Sequence, residues 1–224
     1  LKDMIIIVDN NSGTNDLEIL SKGITKYRLN HLVKIISSDV NNGFSSGNNL
    51  GINSISSRFY LLTNSDTIFR PRAISELLIA AERYKHCGLV SPRLEWENGD
   101  PQISCIRYYR PIVEFIKSSG TTIITNILNQ FVVPIPISNT PTYPHWTSFA
   151  CVLIRKEVFD TIGLLDEGYF MFFEDVDFCR RARKAGFTIL NWPSAHVVHL
   201  RGQSSCVKRN QKTLSRLPKY FYNS

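Results

Sequence analysis

The sequence predicts an α/β fold in which a mostly parallel central sheet is flanked by helices and accompanied by a small antiparallel element. Short β-branched and apolar runs alternate with amphipathic helical patterns along the chain, which is typical of parallel βαβ units. Several apolar runs end directly in turns rich in Asn, Asp and Ser. Because ligands of open parallel sheets bind outside the carboxyl ends of the strands, these turns are the candidate functional region.

Length and composition favour one soluble domain covering residues 1–224. The chain has 224 residues, of which 43% are apolar, enough for one well-buried core. No apolar run approaches the roughly 18–20 residues of a membrane span, and the first residues do not resemble a secretory signal. The five cysteines are odd in number and form no Cys-x-x-Cys pair. We therefore expect neither a disulfide framework nor a zinc site, and we expect a cytoplasmic location.

The net charge of +7 is concentrated near the C-terminus. The basic residues of this tail are Arg201, Lys208, Arg209, Lys212, Arg216 and Lys219. No nucleic-acid-binding motif accompanies them, so nucleic acid is not an expected partner. A phosphorylated ligand or peripheral contact with the inner face of the plasma membrane fits the charge better, and a merely solvated tail is the alternative.

Residues 1–100 form the predicted nucleotide-binding half. Residues 4–8 are predicted to be a strand buried on both faces, ending in a polar turn at Asp9. A helix over 17–29 and a strand over 33–37 follow. Asp9 is thereby placed to hold a ribose or a base, although a simple turn-forming Asp fits the pattern equally well.

A Gly-rich turn at residues 41–51 opens into the next helix. Backbone amides at such a junction can bind a nucleotide phosphate. The spacing is not G-x-G-x-x-G, so a dinucleotide-binding fold is not predicted.

A third strand over 58–62 ends in a turn that contains Asp66. A divalent cation bridging diphosphate oxygens needs an oxygen ligand at such a place, and a plain turn residue is the alternative. The next helix is predicted from Pro71 to a stop at Gly88. Its predicted buried face consists of Ile74, Leu77, Leu78 and Ala81.

A strand over 89–94 and a hairpin turn over 97–100 lead into an irregular insertion over residues 101–145. This insertion is aromatic and basic at first, then apolar with prolines. It fits an acceptor-facing segment, a membrane-touching segment or a poorly constrained loop.

Residues 146–224 form the predicted acceptor and catalytic half with the basic tail. A strand over 146–154 is followed by a helix over 156–162, which Gly163 stops. Two short strands over 188–192 and 196–200 are expected around Pro193. His196 and His199 would face opposite sides of their strand, so only one of them can enter a site.

Three acidic residues at 174, 175 and 177 follow directly on an aromatic and Met run at residues 169–173. The apolar spacing from Val176 onward predicts a helix ending near Gly186. Glu174 and Asp175 then lie at the helix N-terminus, where the helix dipole favours a carboxylate. A carboxylate at a cavity wall can act as a general base, whereas an N-cap acid beside a surface acid is the structural alternative.

Taken together, these motifs resemble the inverting glycosyltransferases of family 2, which have the GT-A fold, and especially their rhamnosyltransferase-like branch. The resembling segments are IVDNNS (7–12), NNGF (41–44), GNNLG (47–51), LLTNSD (61–66) and a long block over 146–204. Within that block, GLLDE (163–167) and FEDVDFCRR (173–181) are the most telling. The combination is specific, and it covers most of the chain outside about 103–143.

The resemblance implies a role for each candidate residue. Donor nucleotide binding would fall to Asp9, Asn41, Gly43, Phe44, Gly47, Asn48 and Asn64. Asp66 and His199 would bind Mg²⁺ or Mn²⁺ on the diphosphate of a nucleoside-diphosphate sugar. Asp175 would be the general base, with Glu174 orienting the acceptor or the base, and Trp146 would lie on the acceptor side. The implied function is transfer of rhamnose or another hexose to a glycan or lipid-linked acceptor in cell-surface polysaccharide synthesis.

Two departures from the family pattern accompany the resemblance. Asn64 replaces the first acid of the D-x-D motif and brings no charge, so we expect a lower metal affinity. Family members begin with a further strand and helix, which we expect to be missing here. A nucleotidyltransferase, or a catalytically degenerate module that binds nucleotide sugars, is the alternative function.

Overall fold

The computed structural model describes residues 3–12, 14–107 and 134–201. Most of the predicted insertion, and the predicted basic tail beyond Arg201, lie outside the described residues. The strands are β1 (Ile5–Asp9), β2 (Val33–Ser37), β3 (Phe59–Thr63), β4 (Thr67–Phe69), β5 (Cys87–Glu95), β6 (Cys105–Ile106), β7 (Trp146–Thr147), β8 (Cys151–Arg155) and β9 (Thr188–His199). The helices are α1 (Thr14–Lys26), α2 (Gly43–Asn53), α3 (Ala73–Arg83), α4 (Lys156–Ile162) and α5 (Glu174–Lys184).

The chain divides into two compact units. The first contains the described residues up to Arg58 together with Gly163–Glu174. Its strands β1 and β2 pair in parallel, with Ile7 opposite Ile35. Helix α2 packs on β1 so closely that a Cβ on Gly51 would lie 3.2 Å from the side chain of Val8. The predicted βαβ start of the chain is therefore present.

The second unit contains the described residues within Phe59–Ile162 and Asp175–Arg216. Its five-stranded sheet has the order β3-β8-β5-β9-β4. Strands β5 and β9 pair in parallel, whereas β3 with β8, β5 with β8, and β4 with β9 pair antiparallel. Strands β6 and β7 form the small antiparallel element.

The predicted α/β class, with a central sheet, flanking helices and a small antiparallel element, is confirmed. The sheet of the second unit is more mixed than the expected mostly parallel sheet, because only one of its four pairings is parallel.

The core of the second unit forms between α3 and the sheet. Strands β5 and β8 are buried along nearly their whole lengths, as expected for strands covered on both faces. The buried cluster consists of Ala73, Leu77, Ala80, Ala81, Cys87, Val90, Leu94, Ala150, Cys151, Leu153, Leu190, Ala195 and Val197. A second apolar group forms around Phe178 of α5, whose ring contacts those of Phe149 and Phe159.

The structure corrects two details of the predicted helix after Pro71. Ile74 and Leu78 are exposed, and the buried face runs through Leu77, Ala80 and Ala81. Gly88 does not stop this helix but lies within β5. A Cβ at Gly88 would come within 2.7 Å of Val158 and 2.9 Å of Phe187, so glycine permits close packing there.

The C-terminal strands also differ from the prediction. One strand, β9, replaces the two expected around Pro193. The register with β5 shifts between the pairs Pro92–Trp192 and Arg93–His196. A bulge can absorb a proline that lacks an N–H for the ladder. The expected strand over 146–154 is split into β7 and β8, and β4 was not predicted.

The turn over 97–100 closes a hairpin as predicted, with Glu95 bridging Pro101. Cys87, Cys105, Cys151 and Cys179 are buried and free, while Cys206 lies outside the described residues. Among the described helices, none has the length and apolar character needed to cross a bilayer.

Candidate functional site

Asp66 and His199 are brought together by the pairing of β4 with β9. Thr67 lies opposite His199 in the register, and the Asp66 carbonyl accepts a hydrogen bond from the Leu200 amide at 3.0 Å. As a result, His199 Nε2 lies 3.4 Å from Asp66 Oδ1. Both side chains are largely buried.

The polar atoms of this pair are not satisfied within the described chain. Asp66 Oδ1 and His199 Nδ1 are buried without a hydrogen-bond partner, as is Asn64 Oδ1 in the same turn. Burial lowers the pKa of His199, an effect that Arg201 strengthens and Asp66 opposes. A carboxylate beside an imidazole with a lowered pKa, each with a buried polar atom left without a hydrogen-bond partner, is a suitable donor set for a divalent cation.

Within the described residues, no third His, Cys, Asp or Glu completes a metal cluster with Asp66 and His199. Two protein ligands suffice for a cation that is otherwise held by water and substrate phosphates. The residues therefore fit a metal that binds with a diphosphate, and they do not form a closed structural metal site.

The turn that carries Asp66 is fixed by short-range hydrogen bonds. The Asn64 amide donates to the Ala150 carbonyl at 2.9 Å. Thr67 Oγ1 donates to the Asn64 carbonyl at 2.8 Å and lies 2.7 Å from Thr63 Oγ1. The two threonines thus shape the turn, while the side-chain oxygen of Asn64 stays available.

His196 belongs to a different cluster, as the alternation along β9 predicts. Its Nδ1 lies 2.9 Å from Glu95 Oε2, and Glu95 Oε1 accepts a hydrogen bond from Arg70 Nε at 2.8 Å. These hydrogen bonds lower the pKa of Glu95 against the desolvation that would raise it. Of the two histidines, only His199 joins Asp66.

Glu174 and Asp175 begin helix α5, as predicted. Glu174 is buried. Asp175 Oδ1 accepts a hydrogen bond from the Val176 amide at 2.8 Å. Burial raises the pKa of Asp175 to about 6, although the backbone amides of Val176 and Phe149 lower it. Such a carboxylate is ionised at neutral pH and is a stronger base than an ordinary aspartate.

The backbone just before these acids is strained. Phe172 and Phe173 have φ angles of 73° and 69°, a region that bulky residues rarely adopt. The side chain of Phe173 is exposed. Strained residues cluster at ligand-binding and catalytic sites, so this outlier supports a functional role for the start of α5.

Except for Asn64, which lies in the second unit, the residues predicted to bind the nucleotide lie in the first unit. The buried Asp9 accepts a hydrogen bond from the Ser12 amide at 3.0 Å. Asn10 Nδ2 donates to Asn41 Oδ1 and to the Gly43 carbonyl, both at 2.9 Å. Asn41 Oδ1 also accepts from the Gly43 amide at 3.0 Å. Asn10, which sequence reasoning did not single out, therefore connects the turn after β1 with the start of α2.

Gly43 has a φ of 88° and no room for a side chain. A Cβ there would lie 2.1 Å from the Phe170 carbonyl oxygen, which accepts a hydrogen bond from the Phe44 amide at 2.7 Å. At Gly47, a Cβ would lie 3.6 Å from the Asn10 side chain. Asn48 donates to the Phe44 carbonyl at 2.9 Å, so its amide nitrogen is used within α2.

Asn49 is a second residue that sequence reasoning missed. Its buried amide donates to the Leu165 carbonyl at 2.9 Å and to Glu167 Oε1 at 2.8 Å, and its Oδ1 accepts from the Leu165 amide at 3.1 Å. These partners lie 116 and 118 residues along the chain. Asn49 thereby ties the segment that leads to Glu174 onto α2.

The remaining predicted residue, Trp146, is half-buried in β7, where it pairs with Ile106 of β6. Of the predicted site residues in the second unit, the structure brings Asp66 and His199 into contact. In the described part of the chain, no hydrogen bond or ion pair joins Asp175 to these two residues.

Comparison with known families gives two matches. Residues 1–163 match the family described as Glycosyl transferase family 2, and residues 138–214 match the family described as Glycosyltransferase like family 2. The first match alone covers more than half of the chain.

Two curated relatives are similar in sequence. The N-acetylglucosaminyl-diphospho-decaprenol L-rhamnosyltransferase of Mycobacterium tuberculosis (strain CDC 1551 / Oshkosh) is 30% identical over 155 residues, which cover 65% of this chain and 48% of the relative. The low-salt glycan biosynthesis hexosyltransferase Agl10 of Haloferax volcanii is 25% identical over 198 residues, which cover 87% of this chain and 58% of the relative. The chain thus spans about half the length of the curated relatives it matches.

Among solved structures, the chain resembles the crystal structure of GalNAc-T7 with UDP, GalNAc and Mn²⁺. The TM-score is 0.63 at 14% sequence identity, and the match covers 88% of this chain and 37% of that protein. At this level of identity the likeness shows a shared fold.

Proposed function

Because this chain belongs to glycosyl transferase family 2, we propose that it transfers rhamnose or another hexose from a nucleoside-diphosphate sugar to a glycan or lipid-linked acceptor. The GalNAc-T7 structure that the chain resembles has the GT-A fold, as the sequence resemblance predicted. The observation that carries the proposal is the buried Asp66–His199 pair with its unused polar atoms, found in a member of this family.

Asp175 is the proposed general base. Its carboxylate accepts the proton of the acceptor hydroxyl while the acceptor oxygen forms a bond to the anomeric carbon. The bond from that carbon to the diphosphate breaks on the opposite side, so the configuration inverts and a nucleoside diphosphate leaves. The raised pKa of Asp175 supports this role, because a base works best when its pKa is near the operating pH.

Asp66 and His199 would hold the divalent cation, Mg²⁺ or Mn²⁺. When bound, the cation would neutralise negative charge on the departing diphosphate. Asn64 supplies a neutral side-chain oxygen in the same turn.

The donor nucleotide is assigned to the first unit and to Asn64. Asp9 would hold the nucleoside, and the start of α2 would offer backbone amides to phosphate. The residues proposed for this role are Asp9, Asn41, Gly43, Phe44, Gly47, Asn48 and Asn64. The hydrogen bonds of Asn10 support the grouping, because they fix Asn41 and Gly43 together.

The acceptor side is assigned to Glu174, Trp146 and the insertion. The relative from Mycobacterium tuberculosis is named for N-acetylglucosaminyl-diphospho-decaprenol, a lipid-linked sugar, which supports a lipid-linked acceptor in cell-surface polysaccharide synthesis. We place the protein in the cytoplasm, with peripheral membrane contact through the basic tail.

The test is a transfer assay on the complete protein with a panel of nucleoside-diphosphate sugars, including a deoxythymidine-diphosphate rhamnose. Asp66→Asn and His199→Ala should each reduce turnover and weaken Mn²⁺ binding measured by calorimetry. The matched control is His196→Ala, which removes a histidine from the same strand but leaves Asp66 and His199 in place.

Three outcomes separate the candidate functions. Sugar transfer that depends on Asp66, His199 and Asp175 supports the transferase. Donor binding without any transfer favours the nucleotide-sugar-binding module. Release of pyrophosphate from a nucleoside triphosphate favours the nucleotidyltransferase. Full activity in Asp66→Asn after chelation would remove the metal from the proposal.

A further inference from the structure

Gln102 contacts the backbone of His199 and has no part in the reaction proposed for this site. It follows the hairpin turn after β5, and its side chain is buried. Its backbone amide donates to the Leu94 carbonyl at 2.7 Å, which fixes the position from which the side chain extends. A buried amide side chain needs several partners, because each polar atom left unpaired costs free energy.

The Gln102 side chain finds those partners on two strands. Its Nε2 donates to the Glu95 carbonyl at 3.0 Å and to the His199 carbonyl at 2.7 Å. Its Oε1 accepts a hydrogen bond from Arg201 Nε at 2.7 Å. One side chain thus joins the end of β5 to the end of β9 and to the residue two positions beyond His199.

The segment that Gln102 holds contains a residue with an unfavourable backbone conformation. Arg201 has a φ of 52°, which is unfavourable for a residue with a Cβ and persists only when its surroundings enforce it. Its guanidinium lies over the Trp96 ring, 5.4 Å from the centroid. Between His199 and Arg201 in the sequence, the Leu200 amide donates to the Asp66 carbonyl at 3.0 Å.

We propose that Gln102 is a positioning residue for the metal and diphosphate site: its amide fixes the backbone at His199 and the side chain of Arg201. This inference rests on the proposed function. Gln102 acts through His199 and Arg201 and does not itself bind the cation. When a group that hydrogen-bonds to a metal ligand without binding the metal is removed, metal affinity typically falls by about 10- to 100-fold.

The experiment compares two variants of the complete protein with a control from the same hairpin. Gln102→Ala removes all three side-chain hydrogen bonds. Gln102→Glu keeps an acceptor for Arg201 but replaces the donor to the His199 carbonyl with a carboxylate oxygen. Asn98→Ala is the control, because Asn98 bonds only to Asp100 in the exposed turn among the described contacts.

Mn²⁺ affinity by calorimetry, the KM and kcat for the donor, and amide hydrogen exchange at residues 199–201 are measured for each protein. We expect Gln102→Ala and Gln102→Glu to weaken Mn²⁺ binding by about tenfold. The KM for the donor should rise more than kcat falls, and exchange at Leu200 should be faster. Asn98→Ala should match the wild type in all of these measurements.

The outcomes distinguish the two proposals. If the wild type transfers sugar with Mn²⁺ but both Gln102 variants bind Mn²⁺ within twofold of it, the role of Gln102 is disproved and the transferase stands. If Gln102→Ala changes only the melting temperature, Gln102 is merely structural. If the wild type neither binds Mn²⁺ nor turns over any donor, the proposed function fails and this inference fails with it.

Discussion

Two opposing effects act on the carboxylate of Asp175. Burial disfavours its charge, while amide hydrogen bonds and the N-terminus of α5 favour it, and burial prevails so that the pKa rises to about 6. The native protein therefore binds a proton at Asp175 more readily than the unfolded chain does. Between about pH 4 and pH 6, this residue makes folding less favourable as the pH rises.

The pH profile tests this assignment. We expect kcat/KM to fall about tenfold per pH unit below pH 6, because the base becomes protonated. Burial also lowers the pKa of His199. Raising Mn²⁺ tenfold would shift the part of the pH profile that arises from the metal ligands and leave the part that arises from Asp175 unchanged. A profile that moves entirely with Mn²⁺ would contradict the role of Asp175.

The raised pKa of Asp175 also predicts that removing its charge increases the stability of the fold. Asp175→Asn should lower turnover by about 10²-fold or more. It should raise the free energy of unfolding at pH 7 by about 1–3 kcal/mol, since the neutral amide avoids the cost of burying a charge. Urea denaturation at pH 7 and pH 4 measures the effect, which should fall to about 0.5 kcal/mol at pH 4. The control Asp160→Asn removes an exposed carboxylate of α4 and should change stability by less than about 1 kcal/mol.

At the scale of elements, α2 combines two tasks. Its first two turns carry four of the residues assigned to the donor, Gly43, Phe44, Gly47 and Asn48. Asn49 in the same helix holds the segment that leads to Glu174. The contact of Gly43 with Phe170 adds a second attachment point. A change at Gly43 should therefore disturb both the start of the helix and the aromatic segment.

Two glycines have nearly equal φ angles but different surroundings. Replacing each with alanine therefore distinguishes the cost of backbone strain from the cost of steric crowding. Gly43 and Gly99 have φ values of 88° and 87°, but a Cβ meets the Phe170 carbonyl at the first and nothing within 4 Å at the second. Gly99→Ala should cost about 1 kcal/mol through the unfavourable φ alone. Gly43→Ala should cost at least about 2 kcal/mol more, because the backbone must move. Equal losses in thermal unfolding would contradict the close contact.

The sequence predicted the helices and strands better than the hydrogen bonds between residues far apart in the chain. The strand at 5–9 and the start of α5 at Glu174 could be predicted because apolar spacing and capping patterns are local. The buried face of α3 could not be resolved, since Ile74 and Leu77 are equally apolar in sequence. The roles of Asn49 and Gln102 depend on partners about a hundred residues away, and no local pattern encodes them. Asp66 and His199 were connected through family resemblance and not through spacing.

At the scale of the whole molecule, each unit carries a different part of the proposed reaction. The first contains the residues assigned to the nucleoside, and the second contains Asp66, His199 and Asp175. In the second unit, α5 is anchored by Phe178, whose ring is fully buried against Phe149 and Phe159. The helix that begins with the proposed base is thus fixed by the core.

Removing that anchor should destabilise the second unit. Phe178→Ala should lower the free energy of unfolding by about 3–5 kcal/mol, because it leaves a cavity among aromatic rings. Thermal unfolding by circular dichroism measures the loss. Tyr143→Ala removes an exposed aromatic ring from the same unit and should change stability by less than about 1 kcal/mol. A similar loss in both variants would show that α5 is not held by this packing.

The buried cysteines of the second unit are unreactive toward alkylating reagents while the fold is closed. Burial raises the pKa of Cys151 to about 12 and raises the pKa values of Cys87, Cys105 and Cys179 as well. The thiolate is the form that attacks alkylating reagents, so these four sulfurs react only while the surrounding packing is open. The labelling rate of each cysteine therefore reports how often the sheet or α5 opens locally.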